Sequence, residues 1–371
     1  MKACLYKPDI LLFPNSLTSI YIFDMFSLII ERQVSVYYDY ITSYEKQKYY
    51  CSLDKMLSRF RILSNAIYPF CQGSELCFLR LAPVEEKIEQ NIIGELEFLS
   101  YLTVHEYPAL EPIAAITGEW YLTLNTKWGE YYASVFKKVC GVEIEDTDLT
   151  KEVVYQYGKA LGKLHSLSAA FVPQTKKWTH TDVLEWIKTA LTQYHGAAAA
   201  FLELAAIKNE LAALPVRNDN YGLVHYDFEP DNVFYDSNSK SCAVIDFDDS
   251  MYHWYDLEQV FDCLGDMVSH TELLPVKEAF INGYKAAYCY SEEIPKFFPI
   301  MRRFIDLFRY ARLIRSVAES FPDEPEWLVR LRKKLNTTLE NLEAGPAHAS
   351  LYNFKAHSPV MVKAFLIPSI T

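Results

Sequence analysis

Residues 223–234 read LVHYDFEPDNVF and residues 244–249 read VIDFDD, and the fold and chemistry of the chain turn on these two stretches. In the first, His225, Asp227 and Asn232 stand in the spacing HxDxxxxN. The second delivers Asp246, 19 residues after Asp227, at the end of the apolar run 243–245. GLVH, NVFYD and CAVIDF have the composition of short strands, and DSNSK (236–240) supplies a turn. Phosphoryl transfer needs a carboxylate to orient an acceptor hydroxyl and take its proton. It also needs two oxygen ligands holding magnesium on the phosphates. Asp227 suits the first role, and Asn232 and Asp246 suit the second.

Around this loop and hairpin the texture is helical. Three- and four-residue apolar spacing predicts helices over 151–167, 182–194, 198–213, 255–268, 276–290, 294–320 and 326–342. Before Gly141 it is mostly β. Two apolar runs, 66–70 and 76–81, flank CQGS as a hairpin, and 111–116, 119–124 and 131–139 resume β character. One amphipathic helix interrupts them at 85–102, with Ile88, Ile92, Leu96, Leu99 and Leu102 on its apolar face. A triphosphate site needs a cation from a strand, steadied by a helix carboxylate. Arg80, at the end of CFL, and Glu95, 15 residues on, supply that pair.

In these residues the chain resembles the aminoglycoside phosphotransferase and choline kinase group, relatives of the protein kinases. SNAIY (64–68) resembles that group's short nucleotide loop, FLRL (78–81) its cationic strand and ELEFL (95–99) its lobe-bridging helix. GKALGKLH (158–165) resembles the helix before its catalytic loop, and the two opening stretches resemble its catalytic and metal motifs. The resemblance covers roughly 58–320, with the motifs in the right order. It implies an α+β, bilobal, protein-kinase-like fold: a small β-rich N-lobe with one bridging helix and a larger, mostly helical C-lobe. The units are then an extension at 1–50, the nucleotide-binding N-lobe at 51–140, the C-lobe at 141–344 and a tail at 345–371. ATP is expected at the hinge, against Lys138 and Val139, with Ser64 and Asn65 in the nucleotide loop. Asp256 is implied as a buried brace for the catalytic loop. Two departures are visible: arginine at position 80 where many members carry lysine, and no GxGxxG loop, in keeping with only 12 glycines.

Composition narrows the remaining possibilities. The 371 residues are 50% apolar and 23% charged, so the chain buries a substantial core. Thirty-six basic against 48 acidic residues give −12, without a basic run, which argues against nucleic acid. The eight cysteines show no metal spacing, and the apolar stretch 10–30 is broken by Pro14, Asn15 and Asp24, so no membrane partner and a cytoplasmic location are expected. GKALGK lacks the Walker A spacing, so Gly158 and Gly162 are read as helix-packing positions, and His165 as a structural hydrogen-bonding residue. The expected activity is ATP- and magnesium-dependent phosphorylation of a small-molecule hydroxyl of aminoglycoside, amino-alcohol or homoserine type. Asp248, Asp249, Glu258, Asp262 and Asp266 would favour a cationic acceptor. Two alternatives are a non-catalytic kinase-like module and a haloacid-dehalogenase-type phosphatase. In the phosphatase, Asp246 would attack phosphate with Asp248 as proton donor. That reading leaves 225–232 unexplained.

Overall fold

The two apolar runs form the expected hairpin, with strands two residues apart: β1 (Ala66–Gln72) pairs antiparallel with β2 (Glu75–Pro83), Gln72 opposite Glu75. The structure, a computed structural model, describes residues 65–344 apart from 73–74, 127–128, 256–257, 259–269, 290–293 and 319–325. Strand β5 (Gly129–Lys137) pairs with β2 along one edge. Its other edge is shared by β3 (Pro112–Ile113) and β4 (Leu122–Thr126), completing a five-stranded antiparallel sheet. Helix α1 (Glu89–Val104) crosses it, burying Ile92, Leu96, Phe98, Leu99 and Leu102. Each such burial contributes about 1.5–3 kcal/mol relative to exposure. The helix starts four residues later than its periodicity suggests, because the Glu86 and Lys87 amides close a turn onto the Pro83 carbonyl.

The rest is mostly helical: α2 (Lys151–Ala170), α3 (His180–Gln193), α4 (Ala198–Ala212), α5 (His270–Lys285), α6 (Ile294–Ala318) and α7 (Glu326–Ala344). Thr150 caps α2 through Val153, and Thr179 with Asp182 forms a capping box, which starts α3 at His180 rather than Asp182. The architecture is therefore the expected bilobal α+β arrangement. Most of the helix expected at 255–268 lies outside the described residues, as do 1–50, 345–371, Ser64, Asp256, Asp262 and Asp266.

Between α4 and α5 the chain makes two small sheets. Strand β7 (Tyr221–Val224) pairs with β10 (Met251–Trp254), whereas β8 (Val233–Asp236) pairs with β9 (Ser241–Val244) and with β6 (Val142–Glu143). Consequently 225–232 and 245–250 are the two crossovers between the sheets, and they run side by side. Phe228 and Phe247, one from each crossover, sit in the same apolar core as Leu96 and Leu99 of α1 and Tyr157 and Leu164 of α2. The two loops thus rest on both lobes.

Candidate active site

Asn232 joins the two crossovers. Its side-chain amide donates to the Asp227 carbonyl at 3.0 Å and to Asp227 Oδ2 at 2.9 Å, while its carbonyl accepts from the Ile245 amide at 3.0 Å. On the other side of Ile245, the His225 ring donates Nε2–H to the Ile245 carbonyl at 2.7 Å. Asp227 and Asp246 are thereby fixed relative to one another through Asn232 and His225. Tyr226 (φ 73°) and Asp246 (φ 62°) both hold left-handed backbone, which costs a side-chain-bearing residue on the order of 1–3 kcal/mol and persists only when neighbours enforce it.

The enforcement at Tyr226 comes from Glu258, whose Oε1 accepts from the Tyr226 amide at 2.9 Å. Glu258 Oε2 takes Nε2–H of His165, and with that tautomer His165 Nδ1 accepts from the Tyr284 hydroxyl at 2.7 Å. Among the described residues, Glu258 thus braces the 225–232 loop. It is buried, so it does not face an acceptor. His165 is the structural histidine that was expected. Tyr157 of α2 supports the same loop, donating to the Phe228 carbonyl at 2.7 Å and stacking on its ring.

In the sheet, Arg80 donates from both terminal nitrogens to Glu95, at 2.7 and 2.8 Å, with both residues buried and the guanidinium 4.9 Å from the centre of the Phe136 ring. Burial alone would lower the Arg80 pKa, but Glu95, with Asp248 and Asp246 beyond it, raises it. Removing one partner of such a buried pair leaves an uncompensated charge, at about 3–5 kcal/mol. We expect Arg80→Met to lose stability on that scale in chemical denaturation and the double variant Arg80→Met with Glu95→Met to regain much of it. A single variant as stable as the double would show that Glu95 has another partner.

The carboxylates around Asp246 divide into satisfied and strained. Asp248 Oδ2 accepts from Asn65 at 3.0 Å and pairs with Lys87, and despite burial Lys87, Arg80 and Lys177 hold it well below the usual carboxylate range. Asp249 pairs with Arg312 at 2.6 Å, and Glu229 with Arg309 at 3.2 Å, both arginines coming from α6. Asp246, by contrast, is pushed up to about 7 by burial, with Asp248 and Asp249 adding to it against Arg80. Burial also pushes Asp227 well up, reinforced by Glu229, Asp249, Asp246 and Asp231. Buried, mutually repelling oxygen donors are the donor set a hard divalent ion prefers. Among the described residues, no group of three His, Cys, Asp or Glu side chains gathers to hold a metal.

The expected acidic acceptor surface is altered. Asp248 and Asp249 are engaged by Lys87 and Arg312, and Glu258 is buried under the loop. Asn65 is buried too, turned onto Asp248, whereas Lys138 and Val139 follow β5, with the Lys138 amide held by the Leu76 carbonyl. No described helix is long and apolar enough to cross a membrane.

An aspartate pair tied through one asparagine, next to a sheet carrying a buried arginine–glutamate pair, is the arrangement expected of a kinase-like phosphotransferase. The sequence pattern of the phosphotransferase enzyme family APH matches residues 75–298, and the chain belongs to that family. Amicoumacin kinase of Bacillus subtilis (strain 168) is 24% identical over 194 residues, 52% of this chain and 57% of that protein. Homoserine kinase of Caulobacter vibrioides is 27% identical over 218 residues, 56% of this chain and 65% of that protein. The chain thus spans less than two thirds of the length of either relative. Among solved structures, amicoumacin kinase hAmiN in complex with AMP-PNP, Ca2+ and Ami shares the fold with a TM-score of 0.61 at 16% identity, covering 77% of this chain and 89% of that one. A microcompartment-associated aminopropanol kinase does so with a TM-score of 0.50 at 18% identity, covering 80% and 93%. Family and antiparallel topology together remove the phosphatase alternative.

Proposed function

We propose that the chain transfers the γ-phosphoryl group of ATP to a hydroxyl of a small amino-bearing alcohol, with magnesium. The observation that carries this reading is Asn232, which binds Asp227 with its side chain and the Asp246 loop with its main chain. Asp227 Oδ2 is occupied by Asn232, leaving Oδ1 to accept the hydroxyl proton as the hydroxyl oxygen bonds to the γ-phosphorus and ADP leaves. Asn232 Oδ1 and Asp246 would hold magnesium, which when bound neutralises charge developing on the phosphates. Arg80, oriented by Glu95, contributes fixed positive charge from the sheet side. The acceptor class follows the relatives: homoserine and aminopropanol, named for two of them, each carry a hydroxyl and an amine.

Thermal unfolding with and without Mg·ATP tests the reading. At 100 times the dissociation constant the nucleotide adds about 2.7 kcal/mol, a shift of a few degrees. We expect a magnesium-dependent rise in the wild type that Asp246→Ala loses, followed by turnover with homoserine, 1-amino-2-propanol or amicoumacin. No rise in the wild type would overturn the proposal.

A further inference from the structure

We propose that Lys177 is a positioning residue for Asp246, and that the segment 174–179 is a strap through which helix α1 sets the placement of the Asp246 loop. This rests on the reading of Asp246 as a metal ligand. Lys177 lies between α2 and α3, outside every motif, yet it is only 2% exposed. Its ammonium donates to the Phe247 carbonyl and the Asp248 carbonyl, each at 3.0 Å, and among the described residues it forms no ion pair with a carboxylate. Burying a charge to satisfy two main-chain oxygens is costly unless those oxygens must be held. They follow directly on Asp246, whose left-handed backbone needs enforcement from both sides. His225 and Asn232 hold the Ile245 peptide before it, and Lys177, with the Ser250 amide bonded to the Phe247 carbonyl at 3.1 Å, holds the peptides after it.

The strap is itself fastened at both ends. Towards α1, Gln90 Nε2 donates to the Lys176 carbonyl at 2.5 Å, Asn91 Oδ1 accepts from the Trp178 amide at 2.9 Å, and Glu97 accepts from the Gln174 and Thr175 amides. Gly94 of α1 leaves no room for a side chain there: a Cβ would stand 2.7 Å from Lys177 Cγ and 2.8 Å from the Thr175 carbonyl. Towards the second sheet, the Trp178 carbonyl accepts from the Tyr252 amide at 2.8 Å, in β10, which directly continues the Asp246 loop. The same helix carries Glu95, so one rigid element sets both the Arg80 guanidinium and the Asp246 loop. Groups that orient metal ligands from behind typically change metal affinity by about 10–100-fold.

The test is a magnesium titration of thermal stabilisation at saturating AMP-PNP, in wild type, Lys177→Met and Asn91→Ala, with turnover measured alongside. Methionine keeps the buried stem and removes the donor. We expect the half-saturating magnesium concentration to rise about 10-fold or more in Lys177→Met and by a smaller factor in Asn91→Ala, whose site is otherwise intact. A variant that loses stability without magnesium but keeps the wild-type half-saturation would overturn the inference, since a merely structural lysine behaves that way. If Lys177→Met does not fold, an unchanged half-saturation in Asn91→Ala overturns it alone. Absence of any magnesium-dependent shift in the wild type would instead count against the proposed function.

Discussion

Asp227→Asn is expected to lower kcat by about 10²–10⁴-fold while leaving magnesium-dependent nucleotide stabilisation at its wild-type value. The magnitude is that of removing a positioned general base. The asparagine is nearly isosteric, and its oxygen still accepts from Asn232 Nδ2, the contact that measures 2.9 Å in the native residue. The left-handed turn at Tyr226 and the brace from Glu258 do not involve the Asp227 side chain, so the loop keeps its shape. What disappears is proton acceptance and one negative charge among Glu229, Asp249, Asp246 and Asp231. Removing that charge relieves repulsion, so the folded protein is as stable as the wild type or slightly more so. Steady-state turnover and thermal unfolding on the same preparation check both halves. Turnover above a tenth of wild type would show that proton transfer by Asp227 is not needed.

The opposite pattern at Asp246→Ala, loss of stabilisation together with turnover, separates the two carboxylates. The placement of both in adjoining loops is legible from spacing alone, because the strand–loop–strand pattern that positions them is local in sequence. Arg80 and Glu95 were legible for the same reason: each sits at a defined place in one strand or one helix. Glu258 and Lys177 were not. Glu258 acts on Tyr226 across 32 residues and on His165 across 93, and Lys177 reaches the Asp246 loop across 70. Periodicity describes which face of an element is apolar; it carries nothing about which distant main-chain group a buried charge will satisfy. Strand β10 escaped for a related reason. MYHW (251–254) is buried at every position, so it lacks the alternation that marks a half-buried strand, and its partner β7 lies 30 residues upstream. The arginines of α6 left a faint signal. Arg309 and Arg312 stand one turn apart, the spacing that sets both against the loops, but a charged helical stripe ordinarily reads as a solvated face.

Gly158→Ala tests how deeply the site depends on helix packing. On helix propensity alone the change favours folding by about 1 kcal/mol, since Gly158 is in the middle of α2. The tertiary contact opposes it. A Cβ at Gly158 would stand 2.0 Å from the Phe280 carbonyl oxygen of α5, and one at Gly283 of α5 would stand 1.9 Å from the Tyr155 carbonyl oxygen of α2. Backbone faces backbone on both sides, so no flexible side chain can give way and the helices must part. Overpacking of this kind costs about 1–3 kcal/mol, occasionally more, so the net sign is destabilising. Tm should fall by several degrees in Gly158→Ala and further in Gly158→Val. The displacement also has a route to the chemistry, because α5 carries Tyr284, whose hydroxyl orients His165 behind Glu258 and so behind the Tyr226 turn. Parting α2 from α5 loosens that chain before it reaches Asp227, so kcat in Gly158→Ala is expected to fall below wild type at temperatures where the variant is fully folded. A variant with raised Tm would mean that α2 and α5 lie further apart than these glycines require, and the brace would then have to stand without them.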